Sequence, residues 1–171
     1  MPNIDAMLIN DHMRIKRMFR GFTRWTGDHD LAMAIGYELT AHAAIEEEIL
    51  YPFLRQVDAR LADHAEEEHG EVKALIARIE EMDPDSKSLR PTVLRLKFNL
   101  EEHVEEEEHK IFPLLSPYKQ ELFDMGRQMT TRTQELLTNR KAPKALTRLA
   151  TSNTGWGRNS SGRKDVANAG W

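Results

Sequence analysis

The sequence predicts an all-α protein: an antiparallel up-down four-helix bundle with a short C-terminal helix and a disordered basic tail. Apolar residues recur at helical spacing in four stretches, and turn signals separate these stretches. Strand signals are almost absent from the first 115 residues. Four helices with short connections pack as an antiparallel bundle.

The first two helices are predicted from inward stripes on either side of the turn signal Gly27-Asp28. The second helix is placed between about Asp28 and Val57. The first stripe contains Leu8, His12, Ile15, Phe19 and Phe22, and the second contains Leu31, Ile35, Leu39, His42, Ile45, Glu46, Ile49 and Phe53. Polar residues therefore interrupt both apolar faces.

The third and fourth helices show the same interruption. The third runs from about Asp63 to Met82 and ends at the turn signal Asp83-Pro84-Asp85-Ser86, and the fourth follows Pro91 and ends at Ser116-Pro117. Their stripes contain Ala65, His69, Val72, Ile76 and Ile79 in the third, and Leu96, Leu100, His103, Glu107, Ile111 and Leu114 in the fourth. A His thus lies on the inward face of every helix.

The remaining elements follow from proline, glycine and apolar patterning. Pro52 and Pro113 are expected to end or kink their helices near the preceding residues. The chain is divided into a bundle over residues 1–118, an additional helix over 119–139 and a tail over 140–171. The tail contains glycines with interspersed Ser and Asn and lacks an apolar period, which predicts disorder.

Composition limits the class of protein. The chain has 171 residues and no Cys, which excludes disulfides, thiolate zinc sites, iron-sulfur clusters and cysteine nucleophiles. A length of 171 residues is sufficient for one globular domain with a buried core. No apolar run is long enough to span a bilayer and no signal peptide is evident, so the sequence predicts a soluble cytoplasmic protein without a membrane partner.

Charge is divided unevenly along the chain. Residues 140–171 hold seven Lys or Arg and one acid, whereas residues 1–139 carry a net charge of −10. Binding of nucleic acid by an acidic body is disfavoured, because phosphates are neutralised by clustered Lys and Arg. The basic tail carries Trp156 and Trp171 and is a candidate segment for docking to an unidentified partner, against the simpler interpretation of a solubilising tail.

An internal repeat carries the chemistry. His42 and Glu46 are four residues apart and precede Tyr51-Pro52, and the same pattern recurs in His103, Glu107 and Phe112-Pro113. Residues four apart lie on one helix face. About thirty residues upstream, each repeat has one more His, namely His12 and His69.

The combined pattern predicts a paired metal site. An ionised Glu in a bundle interior costs several kcal/mol unless it is paired, and no inward Lys or Arg is available. A dication neutralises it, and His with carboxylate suits iron, manganese or zinc. The two Glu residues can each bridge two ions, while His12 pairs with His42 at one ion and His69 with His103 at the other. This arrangement is typical of a dinuclear iron centre in a helical bundle.

The sequence resembles the hemerythrin-like, or HHE cation-binding, family over about Ile4 to Leu115. The resemblance is carried by Asp11-His12, His42-x-x-x-Glu46 with Tyr51-Pro52, Glu68-His69, and His103-x-x-x-Glu107 with Phe112-Pro113. It implies a four-helix bundle that holds a non-haem, carboxylate-bridged pair of iron ions. The family's roles include reversible oxygen binding, oxygen or iron sensing, and responses to nitric oxide or peroxide.

One position departs from the oxygen-carrying members of that family. They have a second His one turn before the third-helix ligand, where this chain has Ala65. Glu66, three residues before His69, is an additional candidate ligand, whereas His64 is rotated off the face. The pattern is closer to the family's sensor and stress-response members, and the open coordination position is expected on the iron with fewer ligands.

Three functional hypotheses remain open. The first is a di-iron protein that binds or senses oxygen, nitric oxide, peroxide or iron itself, favoured because no separate substrate motif, nucleophile or cofactor loop is present. The second is a di-iron enzyme that reduces nitric oxide or decomposes peroxide, with Glu66 or Tyr51 transferring protons. The third is a regulatory module whose interactions depend on the metal.

Rival and neutral interpretations are weighed beside these. A ferritin-like carboxylate site would use Glu66 with His69 and Glu106 with His109. It is disfavoured because Glu106 and His109 leave the apolar face of the fourth helix. Three runs of Glu are otherwise interpreted as mostly solvated helix surface, and only one residue in each can face inward. They are residues 46–48, 66–68 and 105–108.

Overall fold

The protein is described by a computed structural model over residues 3–23 and 28–139, and this part of the chain is helical without strands. The bounds are α1 Ile4–Gly21, α2 His29–Ile45, α3 Tyr51–Val57, α4 Ala59–Glu80, α5 Leu89–Glu106, α6 Phe112–Leu115 and α7 Lys119–Asn139. One π turn, Glu46–Leu50, joins α2 to α3, and a second, Glu107–Ile111, joins α5 to α6. The predicted all-α bundle with a C-terminal helix is confirmed.

Aspartates begin two of the long helices. Asp28 accepts a hydrogen bond from the Leu31 amide at 2.7 Å, and Asp58 accepts one from the Leu61 amide at 3.0 Å. These bonds satisfy amides that have no partner within the first helical turn. The predicted turn residue Gly27 lies outside the described residues, as does the predicted tail over 140–171.

The core consists of two apolar clusters on either side of a polar layer. One cluster contains Leu8, Ile45, Ala65 and Ile111, and the other contains Ile15, Leu39, Val72 and Leu100. Each inward His lies between a residue of one cluster and a residue of the other, as His12 does between Leu8 and Ile15. The bundle therefore holds its ionisable residues at mid-height with apolar packing above and below.

The C-terminal helix α7 completes this core. It packs against α1, α2 and the first π turn, and it buries Leu122, Met125 and Met129. Arg132 forms two hydrogen bonds to the carboxylate of Glu48, at 2.6 and 2.9 Å, which connect α7 to the first π turn. Within the described ranges, no helix has the length and apolar character required to cross a membrane.

The buried face changes register at the two π turns. The α-helical period predicts Leu114 on the buried face, but its side chain is 38 % exposed and Leu115 is buried instead. Leu54 is likewise buried where the period predicts Phe53, which is only partly buried. A π turn takes up more residues than an α turn, so every later side chain is rotated around the helix axis.

Two glycines give a test of helix packing. A Cβ on Gly36 of α2 would lie 3.1 Å from Cγ2 of Ile76 in α4, whereas Gly70 has no such neighbour within 4 Å. We expect Gly36→Leu to lower the free energy of unfolding by about 1–3 kcal/mol through overpacking. Gly70→Ala should raise it by up to about 1 kcal/mol, because Ala favours the helix. Urea unfolding measures both changes, and a Gly36→Leu variant as stable as the wild type would contradict close contact between α2 and α4.

Candidate metal centre

The six inward His and Glu residues meet in one buried cluster. They come from α1, α2, α4, α5 and the two π turns, and their exposed fractions are between 0 and 3 %. They are His12, His42, Glu46, His69, His103 and Glu107. The structure thus brings together every residue of the main predicted ligand set.

The imidazoles form the two predicted pairs. The ring centroids of His12 and His42 lie 4.9 Å apart, and those of His69 and His103 lie 4.6 Å apart. The Nε2 atoms of the second pair are separated by 3.1 Å. Each pair, together with at least one carboxylate, places its ligand atoms within 4.8 Å of one another. Each of these two groups could hold a metal ion.

Both buried carboxylates lie between the two His pairs. Glu46 has Oε1 at 3.1 Å from His42 Nε2 and Oε2 at 3.2 Å from His69 Nε2. Glu107 has Oε2 at 3.2 Å from His12 Nε2 and 3.6 Å from His103 Nε2. Each Glu therefore lies within 3.6 Å of one imidazole from each pair.

The π turns begin at these two glutamates. The amide of Tyr51 donates to the carbonyl of Glu46, and the amide of Phe112 donates to that of Glu107, five residues back in both cases. Pro52 and Pro113 follow immediately. Proline crowds the carbonyl four residues before it and has no amide hydrogen, and a wider turn relieves that conflict. The helices therefore continue past both prolines, and the predicted break takes the form of a π turn.

Outside the cluster, a second layer of carboxylates holds three of the imidazoles. His12 Nδ1 donates to Glu108 at 2.9 Å, and His69 Nδ1 donates to Glu47 at 2.9 Å. These bonds cross between the repeats, because each repeat supplies the carboxylate for the single His of the other. They fix the ring orientation and leave Nε2 directed to the cluster.

The third of these bonds joins His103 Nδ1 to Glu68 at 2.8 Å. The sequence predicts solvated surface for most residues of the Glu runs, but Glu47, Glu68 and Glu108 each bond to a buried imidazole. Their side chains are long enough to reach an imidazole on an adjacent helix. The available signal was position, since each directly adjoins a cluster residue in the sequence.

His42 differs from the other three imidazoles. Among the residues that the structure describes, its Nδ1 atom has no hydrogen-bond partner, although only 3 % of the residue is exposed. By the repeat, Asp11 corresponds to Glu68, but Asp11 accepts a hydrogen bond from Arg14 at 3.0 Å instead. The pseudo-twofold pattern of the site is therefore broken on the His42 side.

Tyr51 contributes a hydroxyl to the cluster. The side chain is fully buried, and its hydroxyl donates to Glu107 Oε1 at 3.1 Å while lying 3.1 Å from His69 Nε2. Burial raises the pKa of Tyr51 well above its usual value, and the Glu107 charge raises it further. The phenol therefore keeps its proton.

Ala65, where oxygen carriers of the resembled family have His, is buried, and its methyl side chain offers no ligand atom.

The other candidates lie outside the cluster. Glu66, the additional candidate ligand, is 47 % exposed at its side chain and accepts a hydrogen bond from Arg55 at 2.7 Å. Its placement on the outer face of α4 explains the difference from His69. His64 is 53 % exposed, and Glu106 pairs with Lys110 at 2.6 Å, so the ferritin-like arrangement is not formed.

Burial and the carboxylates shift the imidazole pKa values in opposite directions. Burial lowers the pKa of His12, but Glu107 and Glu46 outweigh it and raise the pKa to about 10. The same balance raises the pKa of His103 to about 9, with Glu107 as the main opposing charge. Burial lowers the pKa of His42 to about 3, because Glu46 offsets only part of the desolvation. The buried carboxylates therefore favour the charged form of His12 and His103 but not that of His42.

The chemistry of these residues fits bound metal. The buried atoms without a hydrogen-bond partner include both carboxylate oxygens of Glu46, Glu107 Oε2, His12 Nε2 and both ring nitrogens of His42. Buried polar atoms ordinarily have partners, so a concentration of unpartnered ones calls for another group. Imidazole nitrogen and carboxylate oxygen without thiolate are suited to iron, manganese or zinc.

Metal loading is expected to release protons near pH 7. Because the pKa values of His12 and His103 are about 10 and about 9, both rings are protonated there in the metal-free protein. A ring nitrogen must be neutral to bind a metal, so apparent affinity should rise with pH until these groups are deprotonated. Calorimetric titration in buffers of different ionisation enthalpy counts the protons released. Heats that are independent of the buffer would contradict this prediction.

Comparisons with known proteins agree with the geometry. The family profile "Hemerythrin HHE cation binding domain" matches residues 3–115. An uncharacterized hemerythrin-like protein of Schizosaccharomyces pombe is 24 % identical over 129 residues, which cover 71 % of this chain and 63 % of that protein. A protein of Nostoc sp. named DNA nickase is 29 % identical over 115 residues, which cover 64 % of this chain and 32 % of that protein. No solved structure gave a significant match.

The matched region and the cluster coincide. Residues 3–115 contain all six buried His and Glu residues, both π turns and the outer carboxylates. The chain covers less than two thirds of the length of both relatives, so only the shared domain is compared. With a family profile matched across most of its length and a buried cluster able to hold metal, the chain belongs to the hemerythrin family of HHE cation-binding domains.

Proposed function

We propose that the cluster holds two iron ions and that the protein binds or senses a small ligand: oxygen, nitric oxide or peroxide. The observation that supports this most directly is the placement of Glu46 and Glu107, each within reach of both His pairs and each with unpartnered oxygen. Two bridging carboxylates between two pairs of imidazoles suit a dinuclear centre better than a single ion. A bound iron pair would supply redox chemistry and an open coordination position.

The protein's own residues have separate roles in this proposal. His12 and His42 hold one ion and His69 and His103 the other, while Glu47, Glu68 and Glu108 keep three of the rings oriented through Nδ1. The apolar clusters on either side exclude water from the centre. Exclusion of water and fixed ring orientation favour a stable centre that exchanges ligand without losing metal.

A second candidate function is supported by Tyr51. Its hydroxyl holds a proton 3.1 Å from both Glu107 Oε1 and His69 Nε2, where a reacting ligand would need one. An enzyme that reduces nitric oxide or decomposes peroxide uses such a donor. If the protein is such an enzyme, Tyr51→Phe is expected to slow turnover while the iron content stays unchanged. If the protein only binds its ligand, neither the wild type nor the variant turns over.

The first test is iron content and reversibility. Protein purified and reconstituted with ferrous iron under anaerobic conditions should contain about two irons per chain, and its absorption spectrum should change on exposure to a ligand. Full return of the spectrum on removing the ligand supports binding or sensing, and continued consumption of peroxide or nitric oxide supports the enzyme. No stoichiometric iron, or unchanged iron content in a His42→Ala, His103→Ala double variant, would overturn the metal assignment.

A further inference from the structure

A cavity of about 270 Å³ lies beside the cluster, between α1, α2 and α7. Its lining includes His42 and Arg14, whose exposures define an inner and an outer end. The side chain of His42 is 2 % exposed, whereas that of Arg14 is 43 % exposed. The cavity therefore extends from the protein surface to one of the proposed metal ligands.

The cavity coincides with the break in the site's pseudo-symmetry. His12, His69 and His103 each have a carboxylate on Nδ1, which covers that edge of the ring. His42 has no such partner, and Asp11, which replaces the carboxylate in the repeat, is turned to Arg14. Asp is one methylene shorter than Glu, which limits its reach. One imidazole of the four is thereby left adjoining open space.

The lining indicates which molecules the cavity admits. Besides its charged residues and His42, the cavity is lined by Tyr37 and by the small or apolar side chains of Ala41, Ile45 and Leu136. The buried hydroxyl of Thr133, also in the lining, has no hydrogen-bond partner among the described residues. Such a surface suits a small molecule with little charge to desolvate.

The outer end of the cavity is acidic. Arg14 bonds to both Asp11 and Glu38, so two carboxylates face a single guanidinium. The net negative charge disfavours the approach of anions. Size, apolar walls and charge together favour a small uncharged ligand.

We propose that this cavity is the route by which a small uncharged ligand approaches the cluster from the His42 side. The inference rests on the proposed function, because it assigns a path to the ligand of that centre. It also gives α7 a role beyond packing, since Thr133 and Leu136 of this helix line the cavity together with α2. The ligand then arrives at the one imidazole whose outer edge is not covered by a carboxylate.

The test narrows the cavity from either wall and follows nitric oxide binding to the ferrous protein by stopped flow. Thr133→Trp fills it from α7 and Ala41→Leu from α2, and Thr131→Trp is the matched control on the exposed face of α7. We expect association and dissociation rates to fall together by about tenfold or more, with the equilibrium constant unchanged. Narrowing an access route slows the entry and the exit of the ligand by the same factor, whereas altering the binding site changes the equilibrium constant.

Two readouts separate the possible failures. Iron content and the resting spectrum report the metal centre, so a variant or wild type without iron contradicts the proposed function and not the route. With iron bound, unchanged nitric oxide rates in both narrowed variants would overturn the route. A changed equilibrium constant with an unchanged association rate would also overturn it. Should Thr133→Trp fail to fold, Ala41→Leu alone decides.

A separate measurement tests whether the acidic entrance of the cavity disfavours anionic ligands. Arg14→Gln leaves Asp11 and Glu38 without their guanidinium, and Arg17→Gln is the exposed control on the same helix. Association of azide with the ferric protein should slow several-fold in Arg14→Gln at low salt, and nitric oxide association should not. Equal effects of both substitutions on azide would contradict the assignment of the acidic mouth.

Discussion

Replacing Glu46 by Gln is expected to abolish tight binding of the two metal ions. Gln has nearly the same volume as Glu, so packing is preserved, but its amide has one neutral oxygen and cannot bridge two cations. Glu46 reaches His42 at 3.1 Å and His69 at 3.2 Å, one at each cation position. Removing one partner from a buried charge pair costs about 3–5 kcal/mol, or about two to four orders of magnitude in affinity.

Chelator competition and iron analysis measure this loss. Glu48→Gln is the matched control, because Glu48 belongs to the same run but is 46 % exposed and bonds to Arg132. Glu107→Gln should reproduce the loss, since Glu107 occupies the equivalent position in the second repeat. Wild-type iron content and affinity in both Glu46→Gln and Glu107→Gln would show that the buried carboxylates are not ligands.

The outer carboxylates should have the second largest effect. Glu47→Gln and Glu108→Gln are each expected to lower metal affinity by about 10–100-fold, because a carboxylate on Nδ1 orients the ring and strengthens it as a ligand. The crossed bonds predict which ion is affected: Glu47 acts on the ion of His69, and Glu108 on the ion of His12. Sequential metal release, followed by the absorption of each remaining species, distinguishes them.

This prediction has an internal control in the sequence. Glu105 belongs to the same run as Glu108, residues 105–108, but is exposed, so Glu105→Gln should leave both affinities unchanged. A weakened ion at the wrong His pair would contradict the crossed arrangement. Equal affinities in Glu47→Gln, Glu108→Gln and wild type would show that the rings are oriented by packing alone.

The apolar stripes predicted the fold well up to the glutamates. Leu8, Ile15 and Phe19 in α1, and Val72 and Ile76 in α4, are buried as the period requires. Amphipathic patterning is effective here because each helix has one buried face and a constant rotation per residue. Beyond Glu46 and Glu107 that rotation changes, so Leu54 and Leu115 are buried where the period predicts Phe53 and Leu114.

The candidate ligands were also predictable, and for a similar reason. A His or Glu on an otherwise apolar face violates the binary pattern, and the repeat showed that the violations were coordinated. The outer carboxylates gave no such signal, because Glu47, Glu68 and Glu108 lie in acidic runs that look like helix surface. Glu66 shows the opposite case. Its spacing to His69 made it a candidate ligand, but in the structure it lies outside the cluster and bonds to Arg55.

By itself, the sequence determined the helical bundle, the repeat and the four His and two Glu residues that meet in the core, because burial and helical period are encoded locally. Only the tertiary structure decided which carboxylate supports which imidazole, how Tyr51 joins the cluster, and that His42 adjoins a cavity closed by α7. These depend on distances between helices far apart in the chain, and on two π turns that rotate one part of a helix against another. A pattern with a single period carries neither kind of information.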